Sequence, residues 1–223
     1  MQRRSFCGEN RSRPIMLGFI VSDTKSKHLG QEMKQAKLLT QAEQKRVMTI
    51  LDGHRHAARN RAIFAVSFYA GLRACEIAAL RVGDVFDDRG AVRDTLYLSS
   101  AQTKGSEGST VLVSKRLAKA LGAYAAAHHS HITYPNAPLF FSAKGGGFSA
   151  QTIVNLFSRF YKLAGIKGAS SHTGRRQFLT ELADKGINVR VIQALARHKH
   201  IATTQRYIDF NESKLRNAIE LAG

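Results

Sequence analysis

The chain has 223 residues, and 34 lysines and arginines against 16 aspartates and glutamates give it a formal charge of +18. A charge of that sign, spread along the chain, predicts a polyanionic partner and favours nucleic acid. The two cysteines, Cys7 and Cys75, lie far apart and form no CxxC pair, which argues against a disulfide framework and against a cysteine-bound zinc ion. No apolar run reaches the length of a bilayer span, so we expect a cytoplasmic protein.

The sequence predicts an N-terminal arm followed by a series of helices. Residues 1–37 mix basic side chains with glycine, serine and proline and predict a flexible basic arm. Ordered structure should begin at Thr40, whose hydroxyl can cap a helix while the Glu43 carboxylate reaches back to the Thr40 amide. A largely apolar core helix follows and is ended by Gly71. Helices are predicted at about 40–51, 57–70, 115–127, 149–164, 172–185, 189–197, 202–208 and 212–221.

A short helix and a hairpin complete the predicted elements. The short helix opens at Arg73, and Glu76 lies one turn on, where the two side chains are expected to form an ion pair. Segments 95–99 and 110–114 flank a turn-rich stretch, which predicts a β-hairpin with Lys104 near its tip. The predicted fold class is therefore mainly α with a small antiparallel β-sheet, an α+β fold.

One set of polar residues is spread over the whole predicted domain. It comprises Gly71-Leu72-Arg73 through Leu80, Lys104 in the hairpin, His172-x-x-Arg175, and His198 with Tyr207 nine residues later. In order and spacing this set resembles the tyrosine recombinase, or phage integrase, family over residues 38–222. The combination carries the resemblance, since a lone HxxR or a lone tyrosine after a histidine is weak evidence. The resemblance implies that residues 38–223 form the recombinase catalytic domain.

The two arginines of the set suit the breaking of a phosphodiester. Negative charge accumulates on the non-bridging oxygens in the transition state, so fixed positive charge is needed there. Arg73 and Arg175 supply it as guanidinium groups, which are always charged and grip two phosphate oxygens with a planar fork. His172 lies three residues before Arg175, so both side chains should project from one helical face.

The remaining members of the set suit proton transfer and nucleophilic attack. A tyrosine phenol has an ordinary pKa of about 10 and must lose its proton as it attacks. We predict that Tyr207 is the nucleophile, that His172 accepts its proton, and that Lys104 protonates the leaving 5′ oxygen as general acid. Lys115 is the alternative to Lys104. His198 is expected to donate a further hydrogen bond to the phosphate.

The resemblance implies a site-specific recombinase of the integrase or invertase type. Such an enzyme works through a 3′-phosphotyrosyl intermediate, with no metal, ATP or other cofactor. The implied partners are double-stranded DNA, a homotetramer assembled on paired sites and accessory DNA-bending proteins, with association with the nucleoid and not with a membrane. Two alternatives stay open. The first is a decayed recombinase that binds DNA as a non-catalytic regulator, and the second, less expected for so small a chain, is a type IB topoisomerase.

Three residues depart from the family pattern. Arg197 stands where relatives usually carry a glycine just before the second histidine. Gly174 and Arg176 replace the usual leucine and histidine around Arg175. We expect these changes to alter local helix packing, and we expect Arg197 either to add a contact at the phosphate or to crowd the site.

The two ends of the chain carry further expectations. Residues 1–37 are too few to form the separate helical DNA-binding domain that precedes the catalytic domain of larger integrases. The chain is similar in size to small stand-alone invertases, and a truncated integrase remnant is the other interpretation. The predicted helix at 212–221 is expected to dock either on a neighbouring protomer or on the protomer to which it belongs.

Overall fold

A computed structural model describes residues 35–103, 108–142 and 145–208, together with residues 216, 219 and 220. Nearly all of the predicted basic arm, Lys104 and most of the predicted helix at 212–221 lie outside these residues. The helices are α1 (Gln41–Asp52), α2 (Ala57–Ala70), α3 (Ala74–Ala79), α4 (Val82–Val85), α5 (Lys115–Ala127), α6 (His129–Ile132), α7 (Ala150–Leu163), α8 (Thr173–Asp184), α9 (Val189–Ala196) and α10 (Ile201–Gln205), and the strands are β1 (Thr95–Leu98) and β2 (Ser109–Leu112).

The first helix begins where its capping residues place it. The Thr40 hydroxyl accepts from the Glu43 amide at 3.2 Å, and the Glu43 carboxylate accepts from the Thr40 amide at 3.0 Å. Each partner satisfies an amide that the first helical turn leaves without a carbonyl. The predicted capping box is confirmed.

Helix α2 ends at Gly71, where the backbone leaves the helical path. Gly71 has a φ of 62°, in the left-handed region. A Cβ at this position would lie 2.8 Å from the Phe178 ring of α8, so glycine is needed for space as well as for backbone freedom. The predicted end of the helix at Gly71 is confirmed. Arg73, two residues further on, is the residue that precedes α3.

The predicted hairpin is present as strands β1 and β2. The strands pair antiparallel, with Leu96 opposite Val111 and Tyr97 opposite Thr110. Leu96 and Val111 are buried in the main core, whereas Tyr97 is 66% exposed on the opposite face. This alternation is what a sheet with one covered face requires.

The main hydrophobic core surrounds helix α2. That helix is buried on nearly all sides and packs mainly against α5 and α8, while α3 packs against α7. Aromatic side chains supply much of the buried area. The largest fully buried side chains include Tyr124, Tyr161, Phe86, Phe140, Phe157 and Phe160. The structure is therefore mainly α with a small antiparallel sheet, and the predicted fold class is confirmed.

A second, much smaller apolar cluster joins α8 and α9. Leu179, Ile192 and Ala196 are buried there, and Tyr207 and Phe178 pack against them. No helix in the described ranges is long and apolar enough to cross a membrane.

Close contact between α8 and α2 explains the glycine at position 174. A Cβ on Gly174 would collide with the Ser67 hydroxyl and would lie 2.7 Å from the Phe68 ring. A larger residue would therefore push α8 away from α2. The neighbouring Arg176 donates to the Ala36 carbonyl at 2.5 Å and ties α8 to the start of the described chain. These contacts describe the packing at both positions in this chain, and the expectation that it differs from that of relatives stays a prediction.

Candidate active site

A pocket of about 530 Å³ lies between the start of α3, the hairpin and the segment that joins α9 to α10. Among the residues that the structure describes, its lining is strongly basic and includes one carboxylate, that of Glu76. The residues that line it are Arg73, Glu76, Thr103, Gly108, Ser109, Arg197, His198, Lys199, His200 and Thr203. Segments far apart in the chain therefore meet at one electropositive surface, which favours an anionic ligand.

The predicted pair of Arg73 and Glu76 lies in the wall of this pocket. Arg73 is the residue that precedes α3, and its backbone amide donates to Glu76 Oε2 at 2.8 Å. Its guanidinium donates through Nη1 to Glu76 Oε1 at 2.7 Å. The Glu76 side chain is 1% exposed and that of Arg73 26%, so the carboxylate anchors an arginine that still faces the pocket.

Arg197 is a second cation on the same carboxylate. Its Nη2 donates to Glu76 Oε2 at 2.8 Å, and its side chain is 9% exposed. Burial alone raises the pKa of Glu76, but Arg197, the Arg73 amide and guanidinium, and Arg175 together hold that pKa below its ordinary value. Glu76 is therefore a carboxylate at neutral pH.

Arg175 is the most deeply buried cation near the pocket. It is 4% exposed, and its Nη1 donates to the Gly71 carbonyl at 2.6 Å while its Nη2 donates to the Ala196 carbonyl. These bonds fix the guanidinium between the end of α2 and the end of α9. Burial, then the charges of Arg73 and Arg197, lower the pKa of Arg175 to about 9, so it stays charged at neutral pH.

His198 lies buried beside these arginines. Its Nδ1 is 2.9 Å from the hydroxyl of Thr204, which is fully buried in α10. Burial, followed by the charges of Arg175, Arg73 and Arg197, lowers the pKa of His198 to about 4. The imidazole is therefore neutral at neutral pH, and the Thr204 bond leaves Nε2 available to face the pocket.

Tyr207 follows α10 and stacks on His198. The two ring centroids are 5.9 Å apart with an interplanar angle of 19°. The tyrosine amide donates to the Thr204 carbonyl at 2.9 Å, and the ring packs against the cluster of Leu179, Ile192 and Ala196. Tyr207 is also close enough to Arg175 to interact with it electrostatically.

Among the predicted site residues that the structure describes, Arg73 and His198 line the pocket, whereas Arg175 and Tyr207 interact with His198 without lining it. His172 precedes the first turn of α8 and is exposed, with its amide donating to the Ser170 hydroxyl at 3.2 Å, and it does not line the pocket. Lys104 lies outside the described residues, although Thr103 and Gly108 on either side of that gap line the pocket. Lys115, the alternative, is the first residue of α5 and is absent from the lining.

Sequence reasoning missed the contribution of the segment after His198. Lys199, His200 and Thr203 all line the pocket. The sequence signal was their adjacency to His198, because a turn that positions one side chain at a site commonly brings its neighbours with it. Arg197 contacts Glu76 in the pocket wall. Both expectations for it, an added contact at the phosphate and crowding of the site, stay predictions.

Comparison with known proteins agrees with this geometry. The family model described as "Phage integrase family" matches residues 37–214, most of the chain. The chain belongs to the phage integrase family. The fold and family expected from the sequence are confirmed.

Individual relatives within the phage integrase family are distant and longer. Tyrosine recombinase XerA of Thermococcus kodakarensis is 30% identical over 186 residues, which are 83% of this chain and 62% of that protein. Tyrosine recombinase XerC of Syntrophus aciditrophicus is 27% identical over 164 residues, which are 70% of this chain and 51% of that protein. The chain thus spans about half to three fifths of the length of these curated relatives.

Solved structures of recombinases share the fold. A crystal structure of XerA recombinase has 28% identity and a TM-score of 0.65, covering 83% of this chain and 65% of that one. A Tn1549 transposon integrase in complex with transposon right end DNA has 19% identity and a TM-score of 0.68, covering 87% of this chain and 69% of that one. At that identity the second likeness concerns the fold alone.

Proposed function

We propose that this chain carries the catalytic site of a tyrosine-type site-specific DNA recombinase, which cuts and rejoins double-stranded DNA without metal or ATP. One observation carries the proposal. Arg73 and His198 line one pocket, Arg175 is close enough to both of them to interact electrostatically, and the ring of Tyr207 stacks on His198 with the ring centroids 5.9 Å apart. These are the residue types that a metal-free attack on a phosphodiester needs, held together by segments more than 130 residues apart along the chain.

The arginines are the groups that meet the phosphate charge. Arg175 is held rigidly by two backbone carbonyls, so it can stabilise charge that develops on the phosphate without first reorganising. Arg73 is more exposed and is anchored to Glu76 through one nitrogen of its guanidinium, which leaves its other donors for phosphate oxygens. Neutral His198 adds a hydrogen-bond donor through Nε2 in the tautomer in which its Nδ1 accepts from the Thr204 hydroxyl.

Covalent attack comes from Tyr207. Its phenolate oxygen forms a bond to phosphorus as the bond to the 5′ oxygen of the next nucleotide breaks, which gives a 3′-phosphotyrosyl protein and a free 5′ hydroxyl. His172 takes the phenol proton and Lys104 gives a proton to the leaving oxygen. Support for Lys104 is that Thr103 and Gly108 line the pocket. A second 5′ hydroxyl displaces Tyr207 in the reverse reaction, and no external energy source is needed because one phosphoester replaces another.

The proposed partner is double-stranded DNA in a paired complex. The charge of +18 and the basic pocket favour a polyanion. The Tn1549 integrase, which has the same fold, is in complex with DNA. We extend the proposal to a homotetramer on two sites, with accessory DNA-bending proteins as further partners and the nucleoid as the place of action.

The test is formation of a covalent protein–DNA adduct. Wild type and Tyr207→Phe are incubated, with chelator present, with nicked duplexes tiled from the DNA that flanks the gene, and are then denatured in detergent and separated by size. The nick lets the cut strand diffuse away, so that the adduct accumulates. We expect an adduct with wild type and none with Tyr207→Phe, while both bind the same duplex with equal affinity.

The matched control is Tyr97→Phe, which removes a hydroxyl from the exposed face of the hairpin. It should form adduct at the wild-type rate. The absence of adduct on a duplex that wild type demonstrably binds would contradict the proposed activity. An adduct that forms equally well with Tyr207→Phe would move the nucleophile elsewhere.

A further inference from the structure

Arg197 has an unusual backbone conformation. Its φ is 55° and its ψ 45°, in the left-handed region, and it is the only non-glycine residue with positive φ in the part of the chain that the structure describes. An L side chain is disfavoured there because its Cβ crowds the following carbonyl, so glycine is the residue that this position usually takes. A side chain kept under that penalty requires a compensating interaction.

The compensating interaction is made at the end of the side chain. The Arg197 guanidinium is 9% exposed and donates to Glu76 Oε2, on the opposite side of the carboxylate from the bond between Arg73 Nη1 and Glu76 Oε1. One buried carboxylate thus lies between two guanidinium groups that come from positions 121 residues and three residues away. The contact is made inside the wall of the pocket, and not at the protein surface.

Arg73 and Arg197 share the Glu76 carboxylate, and this sharing determines how many side-chain donors of Arg73 remain for another ligand. A buried carboxylate attracts every cation within reach, and it offers about four lone-pair positions. The Arg73 amide and Arg197 Nη2 both donate to Oε2 and take its two lone-pair positions, and Arg73 gives only one side-chain nitrogen to Glu76. Without Arg197, Arg73 would be the one cation left in an ion pair with Glu76 among the described residues, and a fork-like pair using two of its nitrogens would be favoured. Such a pair would turn its donors away from the pocket.

We propose that Arg197 is a positioning residue that occupies the second oxygen of Glu76, so that Arg73 keeps its remaining donors for the DNA phosphate. The inference rests on the proposed function for its consequence in cleavage, because Arg73 is there assigned to the phosphate. Its structural content, the freedom of the Arg73 guanidinium, is measurable in the protein without DNA.

The cleavage experiment begins with five proteins: wild type, Arg197→Met, Arg197→Lys, Glu76→Gln and the double variant Arg197→Met with Glu76→Gln. Methionine keeps an unbranched side chain and the backbone penalty but removes the guanidinium group with its charge and donors. The measurement is single-turnover adduct formation at saturating nicked duplex, together with the dissociation constant for the duplex and the melting temperature. Rates are expressed per folded molecule.

We expect Arg197→Met to slow adduct formation by about 10-fold to 100-fold, with a nearly unchanged dissociation constant, since the loss falls on the transition state. Arg197→Lys should recover most of the rate. In the Glu76→Gln background the same change to methionine should have little effect, because a neutral amide no longer competes for Arg73. An equal loss in both backgrounds would mean that Arg197 touches the phosphate directly, and would overturn the proposal.

A purely structural role predicts a different pattern. In that case Arg197→Met would lower the melting temperature and leave the rate per folded molecule unchanged, which also overturns the proposal. Arg197→Gly separates backbone from charge, because it removes the left-handed penalty together with the guanidinium. We expect it to be as slow as Arg197→Met, and a wild-type rate would contradict the assigned role.

A readout without catalysis keeps this inference distinct from the proposed function. In protein labelled with ¹⁵N-arginine, the Nε–Hε signal of Arg73 is identified by its loss in Arg73→Lys. We expect hydrogen exchange of that group to slow severalfold in Arg197→Met, as Arg73 turns toward Glu76, and to return to the wild-type rate in the double variant. Unchanged exchange in Arg197→Met sinks the inference, whether or not any adduct forms. If wild type forms no adduct but the proteins show this exchange pattern, the result contradicts the proposed function and leaves the inference about Arg197 intact.

Discussion

The main core and the candidate site are held together by different kinds of contact. Around α2 the chain closes by burying large apolar side chains such as Ile63, Phe157 and Tyr161. Around α8, α9 and α10 the apolar cluster has only Leu179, Ile192 and Ala196 fully buried among the residues the structure describes. The rest of that region is joined by hydrogen bonds and ion pairs between distant segments.

This difference separates the parts that maintain the fold from the parts that carry the chemistry. Apolar burial is non-directional and tolerates many arrangements, whereas a guanidinium between two carbonyls accepts only one. The site therefore gains geometric definition from polar tethers. Its local stability should be lower than that of the core, as is usual for segments that bind ligands.

Two buried arginines provide the sharpest test of this comparison. Arg175 joins the ends of α2 and α9 and interacts electrostatically with His198, whereas Arg59 lies in α2 and donates to the Phe141 carbonyl at 2.9 Å. We expect Arg175→Lys to slow adduct formation by about 10³-fold, because an ammonium cannot hold both carbonyls and still present a fork to the phosphate. The measurement is the single-turnover rate per folded molecule.

Arg59→Lys is the matched control for that change. It also removes a buried guanidinium and should lower the melting temperature, but it should leave the adduct rate per folded molecule unchanged. Similar losses of rate in both variants would show that the core and the site are not separable in the way proposed here.

A smaller effect is expected from pH, and it reports on the site alone. His198 has a pKa of about 4 in the folded chain against an ordinary value of 6.5, so the unfolded chain binds a proton that the folded chain does not between those pH values. The free energy of unfolding should therefore fall as pH drops below about 6.5 and level off below about 4, by about 3 kcal/mol in total. Denaturant unfolding from pH 7 to 4.5 measures it.

The variant His198→Gln isolates this contribution from that of the carboxylates. It should flatten the dependence of unfolding free energy on pH relative to wild type. His129→Gln, which changes an exposed histidine in α6, should follow the wild-type curve. The assignment is wrong if His198→Gln loses stability with pH as steeply as wild type does.

The local parts of the structure could be predicted from sequence, and the long-range parts could not. Thr40 with Glu43, and Arg73 with Glu76, interact within one helical turn, so spacing alone indicates them. Gly71 predicts the end of α2, because glycine readily adopts the left-handed conformation that ends many helices. Helices α4 and α6 were not predicted, since each has only four residues and is too short to show a period.

The contacts that make the site specific to this chain depend on packing. The bond from Arg197 to Glu76 joins residues 121 positions apart, and no pattern near either residue indicates it. The left-handed conformation of Arg197 is likewise hidden, because arginine gives no local signal for it. The resemblance to recombinases identified the position as a departure, but only the fold shows which partner the side chain finds.

The smallest expected effect concerns two glycines in helices. One lies at a close contact between two helices, and the other faces open space. Gly174 lies where α8 presses on α2, and a Cβ there would meet Ser67 and Phe68, whereas a Cβ on Gly122 in α5 meets nothing within 4 Å. We expect Gly174→Ala to cost about 1 to 3 kcal/mol of unfolding free energy through overpacking. Gly122→Ala should instead stabilise by about 0.5 to 1 kcal/mol, through lower backbone entropy in the unfolded chain.

Denaturant unfolding of both variants measures whether each change raises or lowers the free energy of unfolding. Adduct rates show whether the change at Gly174 also alters the site. Because α8 carries Arg175, a shift of that helix away from α2 should also slow cleavage in Gly174→Ala, while Gly122→Ala should leave the rate unaltered. Shortening the obstructing side chain with Ser67→Gly in the Gly174→Ala background should recover part of both losses. If Gly174→Ala is as stable as wild type, then α8 moves freely on α2, and the site does not depend on that contact for its geometry.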